Sequence, residues 1–225
     1  MTTTIERVLA DRCQSVLADA YETKKLFGRS GAPIEVFPTG MTRDSGDTLT
    51  ELIANEGAAN FLEVGLGLGL STVFLSLGIL RHRESFDALT LDPFQESHWD
   101  SVGLEMIRRA GLSDRVKFEK QYSEYVLPRL AEAGTRFDFI FVDGGHLFDN
   151  AFVDTFFAVR LARPGSLIVL DDRWMPAIQK TAAFFTGNIG LIDESAPKGT
   201  PGHRFISLRV PREMKVRKWD HFADF

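Results

Sequence analysis

The chain has 225 residues, 44% of them hydrophobic and 25% charged, with 19 Phe and 3 Trp, a composition that describes a folded globular protein and excludes intrinsic disorder. Twenty-six basic residues against 31 acidic ones leave a formal net charge of −5, which argues against broad electrostatic binding to nucleic acid or to an anionic membrane. A single cysteine, Cys13, rules out an internal disulfide framework and fits a reducing, cytoplasmic setting.

The stretch Met1 to Arg7 lacks the basic start and apolar run of a signal peptide. An amphipathic helix is expected from Thr4 to Ala20, where Ile5, Val8, Leu9, Val16 and Leu17 fall largely at helical spacing. Gly28, Gly31, Pro33, Pro38 and Gly40 mark Gly28 to Thr42 as a connecting loop, and Asp47 to Asn55 as a short helix after it. A rhythm then sets in. Strands are expected at Phe61–Val64, Phe86–Leu91, Val116–Glu119, Phe137–Val142 and Ser166–Leu170. Helices are expected from Ser71, and at His98–Ala110, Ser123–Ala133, Ala151–Leu161 and Ala177–Phe185. Phe148, Phe152, Phe156 and Val159 recur at helical spacing and are expected to lie mostly in the core. Gly65 to Leu80 runs sixteen residues without a charge, but its glycines and the flanking Glu63 and Arg81 make it a strand end, a turn and a buried helix rather than a membrane span.

Strands alternating with helices predict an α/β fold, a Rossmann-like doubly wound sheet. The last two strand-like segments, Gly187–Ile192 and Arg204–Val210, are joined by too short a Pro- and Gly-rich loop for a parallel crossover, so one of them is expected to run antiparallel. The tail from Pro211 to Phe225 is basic at Arg212, Lys215, Arg217 and Lys218 and then aromatic, which suits a solvated extension, a lid or a dimer contact.

The first strand of the rhythm ends Glu63-Val-Gly65-Leu-Gly67-Leu-Gly69-Leu-Ser71. Position six counted from Gly65 is Leu70, so the dinucleotide fingerprint fails, and a nicotinamide oxidoreductase is disfavoured. Glu63 before the turn would repel a pyrophosphate and welcome a cation. Asp92 ends the second strand, where a carboxylate can accept both hydroxyls of a ribose.

Glu63, the alternating glycines and Asp92, in that order, resemble the class I S-adenosylmethionine-dependent methyltransferases, and most nearly the metal-dependent small-molecule O-methyltransferases of the catechol, macrocin and mycinamicin type. The resemblance covers about Phe37 to Val210. It implies a seven-stranded sheet, mostly parallel with an antiparallel last hairpin. It also implies three segments: an N-terminal helical extension over 1–36, the methyltransferase domain over 37–210 and a C-terminal tail over 211–225. By similarity, Glu63 sits near the ammonium of S-adenosyl-L-methionine, Gly65, Gly67 and Gly69 pack against the cofactor, and Ser71 helps to hold its methionine end. Asp92 is the ribose ligand, Tyr122 and Ser123 lie where relatives bind adenine, Asp143 also contributes to the cofactor site, and Met41 belongs to the loop that covers it.

Asp143 ends the fourth strand, while Asp171 and Asp172 end the fifth. On neighbouring strands three bare carboxylates would repel one another, and a divalent cation relieves that; oxygen ligands favour Mg²⁺, Mn²⁺ or Ca²⁺ over zinc. The resemblance implies metal ligands at Asp143, Asp171 and Asp172, with Mg²⁺ as the expected ion. His146 follows Asp143 after two glycines and resembles the general base of the sugar O-methyltransferases. The alternative for the acids and His146 is capping of turns and helices.

The expected reaction is methyl transfer from the sulfonium to a hydroxyl of a natural product, sugar or phenol, with His146 taking the proton. Methylation of nitrogen on a small molecule, and a non-catalytic S-adenosylmethionine-binding protein, remain open. Phe94, Trp99, Phe148, Phe152, Trp174 and Met175 suit either an acceptor pocket or ordinary packing. Expected partners are a small-molecule acceptor and, through the N-terminal helix or the tail, a second copy of the chain; no nucleic acid or membrane is expected.

Overall fold

A computed structural model describes residues 4–225; Met1 to Thr3, and the side chains of Thr4, Ile5 and Glu6, lie outside the described residues. The chain divides after Gln121 into two compact units.

The first unit opens with α1 (Thr4–Thr23), whose inner face is Cys13, Val16, Leu17 and Ala20, all buried. A short hairpin of β1 (Lys25–Phe27) and β2 (Pro33–Glu35) follows, where a loop is expected from the sequence. These strands are three residues long and include Pro33, so neither carries an alternation that periodicity can register. Thr42 caps α2 (Arg43–Asn55) by accepting a hydrogen bond from the Ser45 amide, four residues ahead of the expected helix. The strands β3 (Asn60–Val64), β4 (Asp87–Leu91) and β5 (Val116–Glu119) pair in parallel, in the order β5-β4-β3. Between β3 and β4 runs α3 (Leu70–Leu80), every residue of which is buried. That accounts for the uncharged stretch. It also explains two small residues: a Cβ on Gly46 of α2 would meet the Phe74 ring at 2.1 Å, and one on Gly78 would meet Ile53 at 2.4 Å. The helix before β5, α4 (Val102–Arg109), starts four residues later than expected because Asp100 and Ser101 adopt left-handed backbone conformations.

The second unit runs through α5 (Ser123–Glu132), β6 (Phe137–Val142), α6 (Phe148–Leu161), β7 (Ala162–Leu170), α7 (Pro176–Phe184), a π-helical turn (Phe185–Ile189), β8 (Ile192–Asp193) and β9 (Ile206–Arg209). Strands β6 and β7 are parallel, whereas β9 runs antiparallel to both β7 and β8. The register of β6 on β7 shifts between Phe137 and Phe139, which lets β7 accommodate Pro164 and Gly165 in a continuous strand. Part of the expected Gly187–Ile192 strand is the π-helical turn, which leaves β8 two residues long. The strand order β5-β4-β3-β6-β7-β9-β8 is that of a seven-stranded, mostly parallel sheet ending in an antiparallel hairpin, as expected of a Rossmann-like fold.

The phenylalanine stripe of α6 is not core. The buried face is Ala151, Asp154, Thr155, Ala158 and Leu161, one step around the helix, while Phe148 is 41% exposed and Phe152 half-buried against Phe184 and Phe185. The tail has no regular structure, yet it is pinned at its end. Asn188 donates to the Ala223 carbonyl at 2.8 Å and accepts from its amide at 2.7 Å, and Lys180 donates to the Phe225 carbonyl at 2.7 Å. Val216 and Trp219 are almost wholly exposed. Among the described residues no helix is long and apolar enough to cross a membrane.

Candidate active site

The sequence-expected residues fall into two clusters, one built within each unit. In the first, β3 delivers Glu63 to the sheet's carboxyl end and the chain turns at once through glycines. Gly65, Gly67 and Gly69 have φ of 93°, 48° and 78°, while the intervening Leu66 and Leu68 are buried. Left-handed backbone at every second residue explains glycine at every second position, because a side chain there is strained. Gly69 is also crowded, since a Cβ would lie 2.8 Å from the Gly103 carbonyl; around Gly67 a Cβ would meet nothing within 4 Å, so that part of the turn is open.

Glu63 is fully buried. The Thr72 hydroxyl donates to its Oε2, while Oε1 has no hydrogen-bond partner among the described residues. Burial pushes its pKa up to about 7, with the Ser71 and Thr72 hydroxyls working in the opposite direction. Asp92 is 4% exposed and held by neutral donors: Gly67 N to Oδ2 at 2.9 Å, Gln95 Nε2 to Oδ2 at 2.8 Å and Phe94 N to Oδ1 at 2.7 Å. Gln95, fully buried, also donates to the Gly67 carbonyl at 2.7 Å and accepts from the Gly103 amide at 3.1 Å. It thereby ties the glycine turn to Asp92 and to the segment opening α4. Sequence reasoning missed Gln95; its place three residues after Asp92 was the available signal. Met41 is buried, and its carbonyl accepts from the Tyr21 hydroxyl at 2.9 Å. Ser71 lies in the first turn of α3.

In the second unit Tyr122 is the exposed N-cap of α5, and the hydroxyl of Ser123 bonds to Asp154. The acidic cluster is assembled by the ends of β6 and β7, which are parallel neighbours. Asp143 follows β6, and Gly144 and Gly145 turn the chain so that His146 folds back. A Cβ on Gly145 would lie 2.8 Å from Asn150 Oδ1, so the turn has no room for a side chain there. His146 Nε2 is 2.8 Å from Asp172 Oδ2 and 3.7 Å from Asp143 Oδ1. Hydrogen bonds to these carboxylates push its pKa up to about 10, so next to the two acids the ring favours its imidazolium form over the neutral one. Burial first, then the charges of Asp171 and Asp172, drive the Asp143 carboxyl well above the usual carboxylate range.

Asp171 and Asp172 lead in a different direction from the expected one. Arg204, just before β9, donates to Asp171 Oδ1 at 2.5 Å and Oδ2 at 2.7 Å, and to Asp172 Oδ1 at 2.8 Å. Asp171 also accepts from the Asp172 amide at 2.7 Å. Asp172 has a left-handed backbone, φ 54°, a conformation that Asp tolerates better than most residues, and it divides its two oxygens between Arg204 and His146. The Trp174 ring lies 4.9 Å from the Arg204 guanidinium carbon and is 58% exposed. Arg204 lies 33 residues from Asp171 in sequence, and nothing in the local pattern marks it.

The three carboxylates Asp143, Asp171 and Asp172 therefore do not present an open all-oxygen site, because both oxygens of Asp171 are taken. The donors that do converge are one atom each from Asp143, His146 and Asp172, all within 4.8 Å of one another. Two carboxylate oxygens and one imidazole nitrogen are a donor set that a divalent cation accepts.

Comparison with known proteins bears on both clusters. Residues 62–173 match the family described as methyltransferase domain, a span from Leu62 to Arg173 that takes in both acid-bearing strand ends. A catechol O-methyltransferase of Niastella koreensis is 34% identical over 118 residues, 51% of this chain and 49% of that protein. Caffeoyl-CoA O-methyltransferase 1 of Eucalyptus globulus is 30% identical over 131 residues, 57% of this chain and 50% of that protein. The chain thus spans about half the length of the curated relatives it matches. Among solved structures, cofactor-bound Rv0187 from MTB is similar with a TM-score of 0.65 and 25% identity, covering 89% of this chain and 90% of that one. An O-methyltransferase from Bacillus cereus in complex with SAH has a TM-score of 0.63 at 22% identity, over 93% of this chain and 98% of that one, a likeness of fold.

Proposed function

Since this chain belongs to the class I S-adenosylmethionine-dependent methyltransferases, we propose that it transfers the methyl group of S-adenosyl-L-methionine to a hydroxyl oxygen of a small molecule. The observation that carries this reading is the glycine turn. Its left-handed glycines leave an open face at Gly67, beside a buried Glu63 whose Oε1 has no partner and a buried Asp92. A free carboxylate oxygen in such a place suits the ammonium of the methionine part, and Asp92 keeps lone pairs for the ribose hydroxyls. Met41 and Ser71 complete the proposed cofactor contacts of the first unit; in the second unit Tyr122, Ser123 and Asp143 are proposed as cofactor-binding residues.

His146 is the proposed general base, oriented by its hydrogen bond to Asp172. It must release the proton that the acids favour before it can take one from the acceptor. Asp143 and Asp172 would hold a divalent cation such as Mg²⁺, which when bound would supply charge to stabilise an alkoxide, while His146 keeps its lone pair for the acceptor's proton. The names of the relatives suggest an acceptor with vicinal ring hydroxyls, of the catechol or caffeoyl kind. We further propose a cytoplasmic setting, since the one cysteine is buried and its thiol is pushed up to about 12, and a homodimer joined through α1 or the exposed tail. Residues 37–210 are proposed as the catalytic domain. Incubation with S-adenosylmethionine and a panel of catechols and caffeoyl thioesters, read by mass spectrometry, tests the reaction: a singly O-methylated product is expected, and methylation of amine analogues alone would contradict it.

A further inference from the structure

We propose that Arg204 is the resident counter-ion of the acidic cluster and sets its affinity for divalent cations, keeping that affinity low while it is in place. The inference rests on the cluster proposed above but concerns its charge and not the reaction. Asp143 and Asp172 bring oxygens within 4.8 Å of each other beyond the ends of β6 and β7, and Arg204 joins Asp172 to Asp171. Left bare, such a group recruits a multivalent cation, because each acid disfavours the ionisation of the next. This chain supplies a cation of its own. The guanidinium spans Asp171 in the forked geometry that Arg forms with a carboxylate, and its Nη2 reaches on to Asp172 Oδ1. Asp171 is 2% exposed and fully engaged, so it cannot turn toward an ion without breaking both bonds. Stacking on Trp174 holds the guanidinium from its face.

Two consequences follow for any incoming cation. Only Asp143 and one oxygen of Asp172 offer carboxylate ligands to it, beside the His146 ring. The ion also meets the positive charge of Arg204 already neutralising the acids it needs. Removing that charge frees Asp171 and the second oxygen of Asp172 as ligands and leaves the site with a larger negative charge. A lysine keeps the charge but has no planar fork, so it cannot grip Asp171 bidentately and release becomes easier.

The test is Mn²⁺ binding to the whole chain, followed by electron paramagnetic resonance, for the wild type, Arg204→Met and Arg204→Lys, with folding checked by circular dichroism. Neither acceptor nor methyl donor is present, so failure of the methyltransferase reading leaves the result intact. The expected outcome is dissociation at millimolar Mn²⁺ for the wild type, at least tenfold tighter binding for R204M and a severalfold gain for R204K. Micromolar binding by the wild type overturns the proposal, as does equal affinity in wild type and R204M. If R204M does not fold, the wild type and R204K decide: a severalfold gain in R204K supports the proposal, and no gain contradicts it.

Discussion

Each unit carries buried acids at the ends of its parallel strands, and the two groups are stabilised in opposite ways. Glu63 and Asp92 are held by neutral donors, namely a threonine hydroxyl, two backbone amides and the Gln95 amide. Asp171 and Asp172 are held by charged partners, Arg204 for both and His146 for Asp172. Buried carboxylates are costly unless something compensates them. The first pair includes a Glu63 oxygen with no hydrogen-bond partner among the described residues. The second pair already has its positive charge. The difference separates the proposed cofactor pocket from a cluster whose negative charge is already paired.

Substitutions at four residues, and one double variant, break or sharpen that contrast. The largest effect is expected at His146, where replacement by Ala removes the proposed base: turnover should fall by about 10²–10⁴ while affinity for S-adenosylhomocysteine stays within a factor of two or so. Steady-state kinetics alongside calorimetry check this, and full activity would remove His146 from the reaction. Next, Arg204→Met leaves Asp171 buried without its cation and should cost about 3 kcal/mol in urea denaturation. The double variant with Asp171→Asn, which removes both charges, should recover part of that loss.

Glu63 behaves differently because its partner is missing. Its folded pKa of about 7 lies above the 4.5 of an ordinary glutamate in an unfolded chain, so between those values the folded protein retains a proton that the unfolded chain has released. Its contribution to stability is therefore fully present below about pH 4.5 and lost as pH rises to about 7. The stability of the wild type relative to Glu63→Gln should fall by up to about 3 kcal/mol across that window. Denaturant curves at several pH values measure it, and parallel curves for the two proteins would refute the assignment. The smallest effect is expected for Asp92→Ala, which should weaken cofactor binding by about 1–3 kcal/mol through loss of charge-assisted hydrogen bonds. Unchanged affinity in a folded variant would return Asp92 to a purely structural role.

Much of this was legible in the sequence. The alternation of strands and helices, the buried α3 and the antiparallel end of the sheet follow from periodicity and loop length. The alternating glycines correspond to alternating left-handed backbone. What escaped has physical reasons. The β1–β2 hairpin is too short to show a period. The α6 aromatics follow the helical repeat, but small residues one step round, Ala151 and Ala158, allow the closer approach and become the buried face. Arg204 sits in a Gly- and Pro-rich loop and meets Asp171 only through the pairing of β9 with β7, so its role depends on topology and not on local spacing. That one residue changes the acidic cluster from three open carboxylates to a neutralised group with a histidine at its edge.

The most direct measurement of the central claim is calorimetric titration of the whole chain with S-adenosylhomocysteine, in Mg²⁺ and again in chelator. A cofactor site built on the glycine turn, Glu63 and Asp92, whose contacts need no cation, predicts one-site binding in the micromolar range in both buffers. Absence of binding in both would contradict it.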